Sequence, residues 1–178
     1  MSKIRLIPAL LLVLAALGAP VHAADAQAAD PSIAALRSNW QSVIGHITAA
    51  ATELTEAEYA YRPIATVRTF GEQIGHIAGT QNLICAAVLG DPQPAEDAVE
   101  RTAMTKVALV AALKTSTEYC ARAYAISAAA GATTAQLFGE SSTRVGALAL
   151  NAVHNGEHYG NIITYMRMMG KVPPSSRR

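Results

Sequence analysis

Four stretches of this chain place apolar residues three and four positions apart, and each is bracketed by residues that begin or end a helix. In the first, Ile33, Leu36, Trp40, Val43, Ile44, Ile47 and Ala51 recur at that spacing, which predicts a helix from Ser32, preceded by Pro31, to near Leu54. Thr55 to Glu58 reads as a capping box for one short turn, which Arg62-Pro63 ends. A second capping box, Thr69 to Glu72, opens a helix carrying Ile74, Ile77, Ile84 and Val88, stopped by Gly90-Asp91-Pro92. Gly90 to Thr102, rich in proline and acidic residues, reads as a linker. The third helix is expected from near Thr105 to Gly131, with Val107, Leu109, Val110, Leu113, Tyr119 and Tyr124 on its period. The fourth is expected from about Thr143 to Met169, with Gly170 just past its end and Pro173-Pro174 beyond. No run alternates apolar and polar residues between turn signals, so the expectation is an all-α chain, a four-helix bundle without a sheet.

The N-terminus has a different character. Lys3 and Arg5 precede an apolar run from Leu6 to Ala19, and Val21-His22-Ala23 supplies small residues for cleavage. That is the layout of a secretory signal peptide over residues 1–23, and the run is too short to span a membrane as a helix. Removing 23 residues from 178 leaves 155, one domain's worth of chain able to bury a single core. Residues 24–31 are expected to form a mobile segment before a domain over 32–178. Losing Lys3 and Arg5 takes the formal charge from +1 to −1, so nothing marks a nucleic-acid surface, and no second long apolar run marks a stable membrane insertion. The expected location is the periplasm or outside the cell. In such an oxidising compartment Cys85 and Cys120 can pair, and they can equally serve as two small apolar core residues.

The chemistry lies near the C-terminus, in "HNGEHYGNIITYMRMMGKVPP". His154 and His158 are one helical turn apart, so both imidazoles project from one face and can reach one ion. A pair at this spacing arises by chance too often to stand alone, and a tight site needs a third protein ligand. His76, about two turns into the second helix, is the candidate third; three neutral imidazoles would leave positions open for water or substrate. His46, between Ile44 and Ile47, reads better as a satisfied or exposed histidine.

Two sharper motifs fail. Residues 154–158 match H-x-x-E-H, an inverted zinc-protease signature, but no acidic residue or histidine follows His158 to complete such a site. A di-iron carboxylate bundle needs Glu-x-x-His on two helices, and the chain contains no such tetrapeptide. Glu157 sits about 100° round the helix from His158, at the border of the histidine face, where a solvated role is the simpler reading. Tyr159, Tyr165, Met166, Met168 and Met169 read as core or a dimer seam, and Arg144 and Arg167 as solvated helix-end charges.

Taken together, "YRPIATVRTFGEQIGHIA" (61–78), "TKVALVAALKTSTEYC" (105–120) and "HNGEHYGNIITYMRMMGKVPPSS" (154–176) resemble the DinB family of metal-binding four-helix proteins, in matching order along the chain. The resemblance implies an up-down-down-up bundle, often homodimeric, with one divalent ion held by His76, His154 and His158. Imidazole ligands suit Zn, Ni and Fe alike. The family includes thiol-dependent enzymes, in which the ion lowers a small thiol's pKa. The chain is therefore expected to be a metal-dependent enzyme activating water or a thiol for attack on a small molecule; export speaks against the thiol, and for hydrolysis Glu157 is a candidate base if its side chain reaches back toward the ion. Against the enzyme stand a non-catalytic binder of metal or apolar ligand, and a structural dimer with relict histidines.

Overall fold

The structure, a computed structural model, describes residues 30–177. The export signal expected over 1–23, and residues 24–29 of the segment expected to be mobile, lie outside the described residues. Helix α1 spans Pro31–Glu53; the Asp30 side chain accepts from Ser32 N at 2.7 Å and proline takes the first turn, so the helix begins one residue earlier than the apolar pattern indicates. The Thr55 and Glu58 side chains then cap each other's backbone amides around a single 3-10 turn, Glu58–Ala60. Helix α2 spans Phe70–Leu89 behind the expected Thr69/Glu72 capping box and ends at Gly90, whose φ of +80° is the left-handed conformation glycine adopts without strain. Seventeen of its twenty residues are buried, because α2 is covered on every side.

The expected linker is partly helical. A short helix α3, Ala98–Thr102, lies on α2 before α4, Lys106–Ala123, begins behind the Thr105 cap. The third expected helix stops eight residues early, where Arg37 Nε takes the Tyr124 carbonyl at 2.8 Å; Ser127 then caps a separate turn, α5, Ala128–Gly131. The expectation of no sheet is wrong. Strands β1, Thr134–Leu137, and β2, Glu140–Thr143, pair antiparallel with Leu137 opposite Glu140, around a turn in which Phe138 and Gly139 both have positive φ. Four-residue strands are too short to show an alternating pattern, and only Ala135 and Leu137 point inward. Helix α6, Arg144–Met168, follows Thr143 as its cap and ends before Gly170 at φ +75°, as the sequence indicates.

The core gathers Trp40, Ile44 and Ile47 of α1, Ile74, Ile77 and Ile84 of α2, Leu109 and Leu113 of α4, and Leu148, Ile162 and Met166 of α6. α2 packs against α4 on one side and α6 on the other, and α1 closes the bundle mainly against α6. Val107, on the expected apolar period of α4, faces solvent. No helix among the described residues is long and apolar enough to cross a membrane.

Cys85 of α2 and Cys120 of α4 form a disulfide with their Cα atoms 5.3 Å apart, which decides between the two readings the sequence leaves open. The bond closes a loop across a sequence separation of 35 residues. Replacing both cysteines by alanine is expected to lower unfolding stability by about 3–4 kcal/mol through the restored freedom of the unfolded chain, read from urea unfolding against the parent.

Candidate metal centre

The contact between α2 and α6 is partly polar. Gln73 and Gln81 flank His76 on α2, and each takes a side chain from α6. Asn155 Nδ2 donates to Gln81 Oε1 at 3.2 Å, and Trp40 Nε1 donates to the same oxygen at 2.9 Å. His158 Nδ1 stands 2.8 Å from Gln73 Oε1. With Nδ1–H as the donor, the lone pair of His158 is left on Nε2.

That nitrogen faces two others. His154 Nε2 lies 3.1 Å from His158 Nε2 and 3.2 Å from His76 Nε2, and the three residues' ligand atoms all fall within 4.8 Å of one another. Metal–nitrogen bonds of about 2.0–2.1 Å require N···N edges of about 3.3 Å in tetrahedral geometry and about 2.9 Å in octahedral geometry. The observed edges lie between these values. Three imidazole nitrogens around one point cannot satisfy one another, because each N–H serves only one lone pair. The donor set therefore fits a divalent ion.

His76 and His158 are buried and His154 is half-buried. Burial pushes His76 down to about 4, with help from Arg68 and His154, and pushes His158 down to about 3, with help from His154 and His76. Burial also lowers His154, against the opposing pull of Glu157 and Glu96. All three are thus neutral at pH 7, the state a metal ligand needs.

Two carboxylates that a linker reading passes over complete the surroundings. Glu96 Oε1 lies 3.8 Å from His76 Nε2 and accepts from Thr80 Oγ1 at 3.3 Å. Glu100 Oε2 lies 3.7 Å from His76 Nδ1, and its other oxygen accepts from Arg68 Nε at 2.9 Å. Both reach α2 because its face there is bare. Gly75 and Gly79 lie four residues apart under the strap, while Gly71, one turn earlier, faces Tyr59 and Leu109 instead; a Cβ on Gly79 would overlap the Glu96 carbonyl oxygen, and one on Gly75 would sit 3.0 Å from Glu100 Cα. This four-residue glycine spacing on a buried helix is the sequence signal for a strap laid across it. Sequence reasoning also passes over Gln73.

Glu157, the candidate base, is exposed and makes no hydrogen bond or ion pair among the described residues. His46 stacks on Tyr159 and takes no part. Tyr159 and Tyr165 are buried, and their hydroxyls donate to Ser175 Oγ and the Arg68 carbonyl. Arg144 lies by Gly90 and Arg167 by Ser176, away from the histidines. A cavity of about 650 Å³ opens beyond the Arg68–Glu100 pair, lined by both residues with Glu72, Arg101 and Lys106, and the histidines do not border it.

The DinB superfamily model matches residues 39–162. Among solved structures, a DinB-like protein from Bacillus cereus ATCC 10987 superposes with a TM-score of 0.69 at 16% identity, over 80% of this chain and 95% of its own. A proposed member of the DinB family from Exiguobacterium sibiricum 255-15 gives 0.63 at 19% identity, over 80% of this chain and 95% of its own. A DinB-like protein from Bacillus subtilis gives 0.53 at 21%, over 81% of this chain and 99% of its own. These likenesses are of fold. No curated protein matches the sequence.

Two outcomes follow from this geometry. Gly79→Ala is expected to destabilise the protein by about 1–2 kcal/mol in urea unfolding, because the displaced strap outweighs the gain in helix propensity. In the metal-free protein, histidines of the unfolded chain take up protons near 6.5 while the buried His76 and His158 resist until about 4 and 3. The unfolded state then binds more protons, so this part of the stability is complete above pH 6.5 and is lost as pH falls toward those values. Urea midpoints measured in chelator are expected to fall steadily below pH 6.5 and to fall less in His158→Gln.

Proposed function

The chain belongs to the DinB superfamily, and from the convergence of His76, His154 and His158 we propose that it is a metal-dependent enzyme activating water for attack on a small molecule. The observation that carries this reading is the pair of Nε2 separations, 3.1 and 3.2 Å, among imidazoles held neutral by burial. A divalent ion of the zinc, nickel or iron kind, bound there, supplies Lewis acidity to a nucleophile at neutral pH. His76, His154 and His158 hold it, and Gln73 fixes the ring of His158. Half-buried His154 and the Glu96 side chain, 41% exposed, mark the side from which a small molecule would arrive. Arg68 and the two strap carboxylates give that approach a polar character.

Water is favoured over a thiol by the disulfide. A bonded Cys85–Cys120 pair supports an oxidising, exported setting, and thiol cofactors belong chiefly to reducing compartments. Glu157 is not assigned the role of base, since its side chain is solvated.

Elemental analysis of protein purified without an affinity tag tests the site. The parent is expected to carry about one ion per chain, and His76→Ala and His158→Ala are expected to carry almost none. A parent that takes up no zinc, nickel or iron would overturn the enzyme, as would undiminished loading in either variant.

A further inference from the structure

Two of the buried polar atoms without a hydrogen bond in this structure are His76 Nδ1 and Glu100 Oε2, and they face each other across 3.7 Å. An imidazole that gives its Nε2 lone pair to an ion carries its proton on Nδ1. A buried N–H with no acceptor is costly, and so is a buried carboxylate oxygen with no donor. Both costs vanish if this one gap closes by less than an ångström.

The surroundings fix which atoms can close it. Arg68 Nε holds the other Glu100 oxygen at 2.9 Å, and the Arg68 carbonyl is itself held by the Tyr165 hydroxyl of α6 at 2.8 Å. The Glu100 backbone lies against the bare Gly75 position of α2, one residue before His76. Glu96 cannot serve instead, because it stands beside Nε2, the ligand edge of the ring, and is engaged by Thr80.

We propose that Glu100 is the positioning residue of the metal centre: His76 Nδ1–H donates to Glu100 Oε2, with Arg68 holding the carboxylate in place. This rests on the metal reading above. The bond fixes the tautomer and plane of His76, raises the basicity of its Nε2, and sets one negative charge behind the ligand to offset the dication. The same carboxylate keeps the Arg68 cation from repelling that ion. Glu100 touches neither ion nor substrate.

The test is zinc affinity, by competition with a chromophoric chelator, together with NMR of the His76 Nδ1–H proton in the zinc-loaded protein. Glu100→Gln is expected to weaken zinc binding about ten- to a hundredfold, while the solvated control Glu157→Gln stays within about threefold. In the parent the Nδ1–H resonance is expected far downfield and slow to exchange, and in Glu100→Gln it moves upfield. Affinity within about threefold of the parent, with the resonance unmoved, would overturn this proposal alone. A parent that binds no zinc would overturn the metal reading with it. Should Glu100→Gln fail to fold, the parent resonance decides: a rapidly exchanging Nδ1–H overturns the proposal.

Discussion

The packing of α6 on α2 governs what the rest of the molecule can do, because each helix carries part of a site that neither can form alone. Both buried faces are partly polar at this seam. Gln81 accepts from Asn155 of α6 and from Trp40 of α1, and its own Nε2 donates to Ser116 of α4 at 3.0 Å, so one side chain of α2 ties three other helices to it. Apolar contacts between helices tolerate sliding and rotation, whereas hydrogen bonds with directional partners do not. The register that brings His76 to within 3.2 Å of His154 is thus held by an amide network that starts at Asn155, the residue after His154, and ends at Gln81, five residues beyond His76.

The same seam carries the main electrostatic liability. Three imidazoles have been brought together with their Nε2 atoms pointing at one another, and Arg68 adds a cation on the same side. A bundle built for stability alone would fill that space with leucine, and groups that conflict locally are common where function is housed. The strap of residues 96–100 bears on both liabilities. Glu100 pairs with Arg68, and Glu96 stands by the ligand edge of His76. The strap can lie this close only because α2 offers glycine at 75 and 79, so the charge balance of the site depends on the absence of two Cβ atoms on a helix that supplies one of its histidines.

Much of this was legible in the residues. Capping boxes at Thr69/Glu72 and Thr55/Glu58, the stop at Gly90 and the spacing of His154 and His158 all act within one turn of chain, where local chemistry decides the outcome. The hairpin, Thr134–Thr143, was not legible: its strands are too brief for a period, and its Phe138-Gly139 turn lacks the asparagine or aspartate that marks such turns. The early end of α4 depends on Arg37, distant in sequence, capturing the Tyr124 carbonyl. Glu96 and Glu100 read as linker in the sequence because acidic residues near prolines ordinarily are solvated. What recruits them is the glycine spacing on α2, a pattern whose meaning appears only once that helix is known to be buried all round.

The disulfide bears on the site through the same helix. Cys85 lies nine residues beyond His76 on α2 and pins that helix to α4, while α6 is free of any covalent tie among the described residues. The two histidines of α6 are held against α2 only by hydrogen bonds and packing, so α6 is the element that would take up any small adjustment if an ion is bound as proposed. The polar seam sets the register of the helices, and an ion bound as proposed would have only to complete the last increment of approach.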